Sequence, residues 1–261
     1  MGCAVRGGDR HPPLRGSPRS SSRGVMRPPS PSEEERRGRR VRSERWISPA
    51  GRVRWITSLD RREADAYAAA ATLAVPRTPS SPRVFGIPAG PGRRWQEERR
   101  AWRRAVRDAT AVADLVIVAD VKDCYPSAGE RAIRMASLRA GGEVGPLLAQ
   151  LARFQATGVR GLPIGPVPSA WLADAVLSIA DERARQAGAA PIRWVDDVLF
   201  AGDRAAVQRA ARAWVRALGD LGLVENETKR RSLRADDETL RGILAATSLP
   251  RRGRRGIIRR S

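Results

Sequence analysis

The chain has 261 residues, with 49 Lys and Arg against 28 Asp and Glu, a net charge of +21 and a single histidine. That length suits one or two domains whose core hides about 70% of the unfolded surface. The histidine, His11, sits among Pro, Arg and Ser, which excludes Ser-His-Asp triads, Cys-His pairs and histidine-bound metal hydrolases.

Residues 1–45 combine Pro, Ser, Gly and Arg with few large apolar side chains and are expected to form a disordered basic tail. Trp46, Ile47, Val53, Trp55 and Ile56 predict a short hairpin around Gly51. An Ala-rich helix is expected over about 60–74, then a Pro/Gly loop over 75–94 with a strand near Val84-Phe85-Gly86-Ile87. Trp95, Trp102 and Val106, seven and four residues apart, share one face of a helix over 95–109. Leu115-Val116-Ile117-Val118-Ala119 is an apolar run with the length of a strand covered on both faces. Ser127-x-x-Glu130 reads as a capping box opening a helix to about Leu138, which Gly141-Gly142 ends. A helix over about 144–155 and a Gly/Pro loop over 158–168 follow, and Ser169 is expected to cap a long helix ending near Gly188. Residues 192–195 and 198–201 predict two short strands with Asp196-Asp197 at their turn. A helix over about 204–220 and a last strand beginning at Leu223-Val224 complete the order. That order predicts an α+β fold, an antiparallel sheet with helices on one face.

Cys3 and Cys124 lack the spacing of a disulfide framework or a zinc site. Apolar runs such as Leu115-Val116-Ile117-Val118 are too short to cross a bilayer, and the N-terminus has no secretory apolar segment. Arg6 stands where a myristoylation start needs Ser or Thr. A soluble, cytoplasmic protein is expected. The charge is unevenly spread: residues 1–60 carry +8, 61–110 carry +6, 111–228 carry −1 and 229–261 carry +8. An acidic-lined centre between basic flanks suits a polyanion that must also meet a metal. GC-rich codon usage also explains the excess, because 47 of the 49 basic residues are Arg. Against that bias the scarce residues stand out. The only lysines, Lys122 and Lys229, the only asparagine, Asn226, and Tyr125 fall in two short stretches, 122–125 and 226–229.

Asp120 ends the buried strand, and Asp196-Asp197 lie at the tip of the hairpin. If the first strand pairs beside that hairpin, three carboxylates meet at one sheet edge. Like charges so placed need protons or cations. Without histidine or thiolate nearby, hard oxygen ligands select Mg2+ or Mn2+. Two such ions about 4 Å apart activate an attacking hydroxyl and stabilise a leaving group. Asp-Asp alone is also a common turn pair.

The letters around these aspartates resemble the palm of reverse transcriptases. Ala119-Asp120-Val121-Lys122-Asp123-Cys124-Tyr125-Pro126-Ser127 is similar to the family's first catalytic motif. Gly161-Leu162-Pro163-Ile164-Gly165-Pro166-Val167-Pro168-Ser169 resembles the substrate-handling motif. Trp194-Val195-Asp196-Asp197-Val198-Leu199-Phe200 is similar to the aromatic-x-Asp-Asp hairpin, and Leu221-Gly222-Leu223-Val224-Glu225-Asn226-Glu227-Thr228-Lys229 to the motif that follows it. Ile164 stands where retroviral and intron enzymes usually carry Gln, a wording closer to bacterial abortive-infection and defence-associated reverse transcriptases and their uncharacterised relatives.

The resemblance implies a palm over 111–230, a reduced fingers-like region over 46–110 and a short basic C-terminal segment over 231–261. It implies RNA-directed DNA synthesis by two-metal nucleotidyl transfer, in a setting of antiviral defence. Asp120, Asp196 and Asp197 with the Val121 carbonyl would hold the two ions, and Lys229 would protonate the departing pyrophosphate. Tyr125 would exclude a 2′-hydroxyl, while Gly161, Pro163 and Gly165 would lie along the nascent pair. Arg77 and Arg83 are the candidates for gripping the triphosphate. The partners implied are an RNA or DNA template-primer and deoxynucleoside triphosphates. Only 32 residues follow Lys229, too few for the usual three-helix thumb, so either a partner chain or oligomer supplies the grip or the chain is a truncated, weakly processive copy. The alternative is a catalytically idle palm that only binds nucleic acid.

Overall fold

The computed structural model describes residues 41–47, 53–76, 81–86 and 95–234. By internal contacts the chain divides into two units, Met1–Gly38 and Arg39–Ser261, and every described residue belongs to the second.

The apolar residues flanking Gly51 form an antiparallel ribbon, β1 (Val41–Ile47) with β2 (Val53–Leu59), in the register Ile47↔Val53 to Val41↔Leu59. β1 begins at Val41, inside the segment that composition assigns to the tail, because cross-strand pairing extends past the apolar residues. Helix α1 (Arg61–Ala74) follows, its first turn capped by Asp60 accepting from Glu63 N at 2.8 Å. The Ala-rich face of α1 packs tightly. Tyr67 is buried, its hydroxyl 2.9 Å from Ser169 Oγ and its ring edge-on to Phe154.

The main sheet has five strands in the order β3-β5-β6-β4-β7. These are β3 (Val84–Phe85), β4 (Leu115–Asp120), β5 (Ile192–Trp194), β6 (Asp197–Gly202) and β7 (Arg231–Leu233). β4 lies antiparallel between β6 and β7, β5 is antiparallel to β6, and β3 runs parallel to β5. The sheet is therefore mixed rather than purely antiparallel, since the long 86–191 connection returns the chain in the direction of β3. Among the described residues there are seven α-helices, and the fold is mixed α/β, in keeping with an α+β class. No helix among them is long and apolar enough to cross a membrane.

Helices cover both faces of the sheet, not one. Alternate residues of β4 explain this directly. Leu115, Ile117 and Ala119, with Val198 and Phe200, pack on α6 (Val167–Gln186) and α7 (Arg204–Asp220). Val116, with Ile192, Trp194, Leu199 and Leu233, packs on Trp102 and Val106 of α2 (Trp95–Thr110). Burying each such side chain stabilises by roughly 1.5–3 kcal/mol. Trp214 against Phe200 and Trp102 against Trp194 meet edge-on, with centroids 6.1 Å apart in both pairs.

Three expected element ends lie elsewhere. Ser127 does not open a capping box. It ends a one-turn helix, α3 (Cys124–Ser127), and its hydroxyl turns back to the Lys122 carbonyl at 3.3 Å. Helix α4 (Glu130–Ala140) starts from Gly129 without a side-chain cap, and Gly141 ends it. Helix α5 (Gly145–Gln155) matches its expected span. Helix α6 starts at Val167 behind Pro166, so Ser169 is inside the first turn and serves Tyr67 instead. Leu223-Val224 is not a strand. The chain there makes one isolated bridge, Val121↔Glu225, and β7 forms only after a 3-10 turn, Glu227–Lys229.

Candidate functional site

The β4/β6 ladder sets Asp120 opposite Asp197, and the β5/β6 hairpin sets Trp194 opposite Asp197. The two-residue turn is therefore Val195-Asp196, and Asp197 is already the first residue of β6. Paired residues in such a ladder lie about 5 Å apart at Cα, so the three aspartates gather at one sheet edge. Asp120 is 4% exposed, Asp196 half-buried and Asp197 exposed. Desolvation, then Asp120, raises the Asp196 carboxyl above its ordinary range. Although Asp197 is exposed overall, desolvation of its carboxyl, then Asp196 and Asp120, raises it to about 7.

Asp120 is held on both oxygens. Lys229 Nζ donates to Oδ2 at 2.5 Å and Asn226 Nδ2 to Oδ1 at 3.0 Å. The backbone N–H of Asn226 donates to the Asp120 carbonyl at 2.7 Å. The scarce Asn226 and Lys229 thus converge on the first aspartate. In the same bridge Lys122 N donates to Val224 O at 2.9 Å, and neither backbone bond uses the Val121 carbonyl. Among the described residues no three His, Cys, Asp or Glu side chains are grouped so as to hold a metal ion. The donor set still suits a hard divalent cation, since it consists of carboxylates whose mutual repulsion is relieved by protons or by cations.

The turn itself is strained and braced. Val195 has φ +55°, the left-handed region that a β-branched residue enters only at a cost. Arg193 Nη1 donates to the Val195 carbonyl at 2.7 Å. That guanidinium is wholly buried, with Asp181 on Nε at 2.8 Å and Asp174 on Nη2 at 2.5 Å. Trp214 Nε1 donates to the other Asp181 oxygen at 3.2 Å. Burial works against the Arg193 charge, but Asp181 and Asp174 outweigh it and hold its pKa above the ordinary value.

Tyr125 lies in α3, half-buried; desolvation, then Cys124 and Asp196, pushes its hydroxyl well above the usual range. Burial keeps the neighbouring Cys124 thiol protonated. The Gly161–Gly165 loop ties this turn to the ribbon. Leu162 N donates to Tyr125 O at 2.8 Å, and Thr57 N of β2 donates to Ile164 O at 2.6 Å. A Cβ on Gly161 would come within 2.5 Å of the Tyr125 and Pro126 carbonyls, so the residue must be glycine. Pro163 is buried, and Gly165 lies against Thr57 and Ile56.

The expected basic pair divides differently. Arg83 is exposed, and its carbonyl accepts from Arg193 N at 2.9 Å. It sits beside the start of β5, whereas the carboxylates lie beyond that strand's far end. Arg77 lies outside the described residues. Arg54 of β2 is also within electrostatic reach of the site, acting weakly on Asp196 and, after Arg193, on Tyr125. Arg99 of α2, stacked over Trp194 at 4.4 Å, feels Asp197. Sequence reasoning missed both, because ribbon and helix reach the site only through tertiary packing. Arg193 had a legible signal: an arginine inside an apolar strand, with Asp174 and Asp181 seven residues apart on a largely apolar helix. No protein-family model matches the chain, and no curated protein matches it.

Proposed function

We propose that this chain is a polymerase palm that extends a primer on an RNA or DNA template by nucleotidyl transfer. The observation that carries the reading is the Asp120↔Asp197 ladder pair with Asp196 in the adjoining turn. It is supported by the convergence of Asn226 and Lys229 on Asp120, which unites two of the motifs that resemble reverse transcriptases. Asp120, Asp196, Asp197 and the Val121 carbonyl would hold two Mg2+ or Mn2+ ions. When bound, these ions lower the pKa of an attacking hydroxyl and neutralise charge on the pyrophosphate. Lys229, whose Nζ donates to Asp120 at the edge of the carboxylate cluster, would be the group that passes a proton to the leaving pyrophosphate. Arg54, which acts on Asp196 and Tyr125, would join Arg83 as a candidate partner for a triphosphate. Tyr125, which the Gly161–Gly165 loop holds beside the cluster through Leu162 N, would limit bulk at the sugar.

A second reading has its own observation. Lys229 and Asn226 occupy both oxygens of Asp120, which suits an idle palm that keeps the fold and binds nucleic acid without chemistry. Incorporation of labelled deoxynucleotides on a primed RNA template separates the two. Synthesis is expected with Mg2+, none with EDTA and none in Asp196→Asn. Equal incorporation by Asp196→Asn overturns the proposal, and template binding without Mg2+-dependent synthesis favours the second reading.

A further inference from the structure

A pocket of about 450 Å³ lies between the C-terminal end of α6 and the flank of α7, lined by Gln186, Ala187, Gly188, Arg209, Arg212 and Arg216. It is remote from the carboxylates along the fold. β6 leaves Asp197 and runs the length of the sheet before α7 begins at Arg204, and α6 ends just before β5 sets out toward the turn.

Arg209, Arg212 and Arg216 are three and four residues apart, so they form one ridge of the helix. All three are exposed, and Val207, Ala210, Ala211 and Trp214 occupy the opposite, buried face. The Arg209 guanidinium lies close to Gly188, 3.6 Å from where a Cβ would stand. Among the described residues no acidic one lines the pocket. Elsewhere in the central region, Arg134, Arg139, Arg153, Arg185 and Arg193 lie against carboxylates. Three like charges on one ridge repel. Codon bias accounts for many arginines, but not for setting three of them on one ridge around a cavity whose described lining holds no carboxylate.

We propose that this pocket binds the phosphodiester backbone of a nucleic-acid strand. The ridge from Arg209 to Arg216 is about 10 Å long at 1.5 Å per residue. With phosphates about 3.4 Å apart along a strand's axis, it meets two or three in succession. Guanidinium forks suit phosphate oxygens. Among the described residues the lining holds no aromatic side chain on which a base could stack, so the contact is independent of sequence. The inference does not require nucleotidyl transfer: it places a second anchor for a strand away from the carboxylates.

The test is the salt dependence of binding to a fluorescent single-stranded oligonucleotide, without Mg2+ or nucleotides, so that failure of synthesis leaves the result unaffected. The triple variant Arg209→Gln, Arg212→Gln, Arg216→Gln is compared with Arg61→Gln, Arg62→Gln, Arg131→Gln, which removes the same charge from exposed positions on α1 and α4. The pocket variant is expected to bind several-fold more weakly at low salt. Its log K against log salt should be shallower by roughly 0.7 per lost phosphate contact, about two units for three. The control should change by less than half a unit. The corresponding triple Lys variant should keep the wild-type slope, which separates charge from folding. Equal slopes for the Gln variant and the control overturn the proposal. So does competition by inorganic phosphate that is as strong, per phosphate, as competition by the strand.

Discussion

Arg193 carries two burdens at once. It neutralises Asp174 and Asp181, and it holds the carbonyl of Val195 in a conformation that a β-branched residue resists. Removing a buried charge partner typically costs about 3–5 kcal/mol, because the remaining charges are left unpaired. Arg193→Met is therefore expected to lower the melting temperature sharply. That loss alone says nothing of the site. The variant that does is Arg193→Met with Asp174→Asn and Asp181→Asn, in which no buried charge is stranded. Its stability should return most of the way to wild type, while the Val195 carbonyl still lacks its donor. Asp196 would then be less firmly aimed, and the rise in melting temperature on adding Mg2+ should need several-fold more metal than in the wild type. An unchanged metal midpoint would show that Arg193 serves the core alone.

At the scale of elements, the site is an agreement between three pieces of chain: the α3 turn, the 161–165 loop and the ribbon. Gly161 is where two of them touch. With φ +56° and the Tyr125 and Pro126 carbonyls 2.5 Å from any Cβ, Gly161→Ala must push the loop away. It is expected to cost more than 2 kcal/mol. Gly158→Ala, also at positive φ but in open space, should cost about 1 kcal/mol. Melting both variants checks the contrast, and equal losses would mean that the contact yields freely. Legibility in the sequence divides along the same line. Helices α1, α2, α5 and α7, the ribbon and the buried strand β4 follow from periodicity and capping, which are local. Ser127 and Ser169 do not cap helices because the Lys122 carbonyl and Tyr67 take their hydroxyls, partners the local sequence does not show. The apolar run of β4 already reads as covered on both faces, but the helix on the second face was not legible because α2 precedes β4 in the chain and nothing local reports its docking. The three aspartates were legible as one cluster because ladder pairing follows from strand order, whereas Arg54 depends on where the ribbon lands.

The whole molecule makes the carboxylate cluster unusually easy to observe by pH. With one histidine in 261 residues, few ordinary groups titrate between pH 5.5 and 8. Asp197 is raised to about 7, with Asp196 raised beside it. An unfolded aspartate releases its proton near pH 3.9. Between about pH 4 and 7 the folded chain therefore holds a proton that the unfolded chain has lost, and stability must fall as pH rises through that window. Net charge argues the opposite. At +21, acidification adds positive charge to a chain that already repels itself, and on that ground alone the protein should weaken at low pH. The two effects differ in sign, so one measurement decides between them. In EDTA the melting temperature should be higher at pH 5.5 than at pH 8. Asp197→Asn should be more stable than wild type at pH 8 and show a flatter profile. Mg2+ at pH 8 should recover part of the wild-type gain, because a divalent cation relieves the same repulsion that a proton does. Parallel pH profiles for wild type and Asp197→Asn would mean that the aspartates at this sheet edge do not share a field, and the basis for a metal there would be gone.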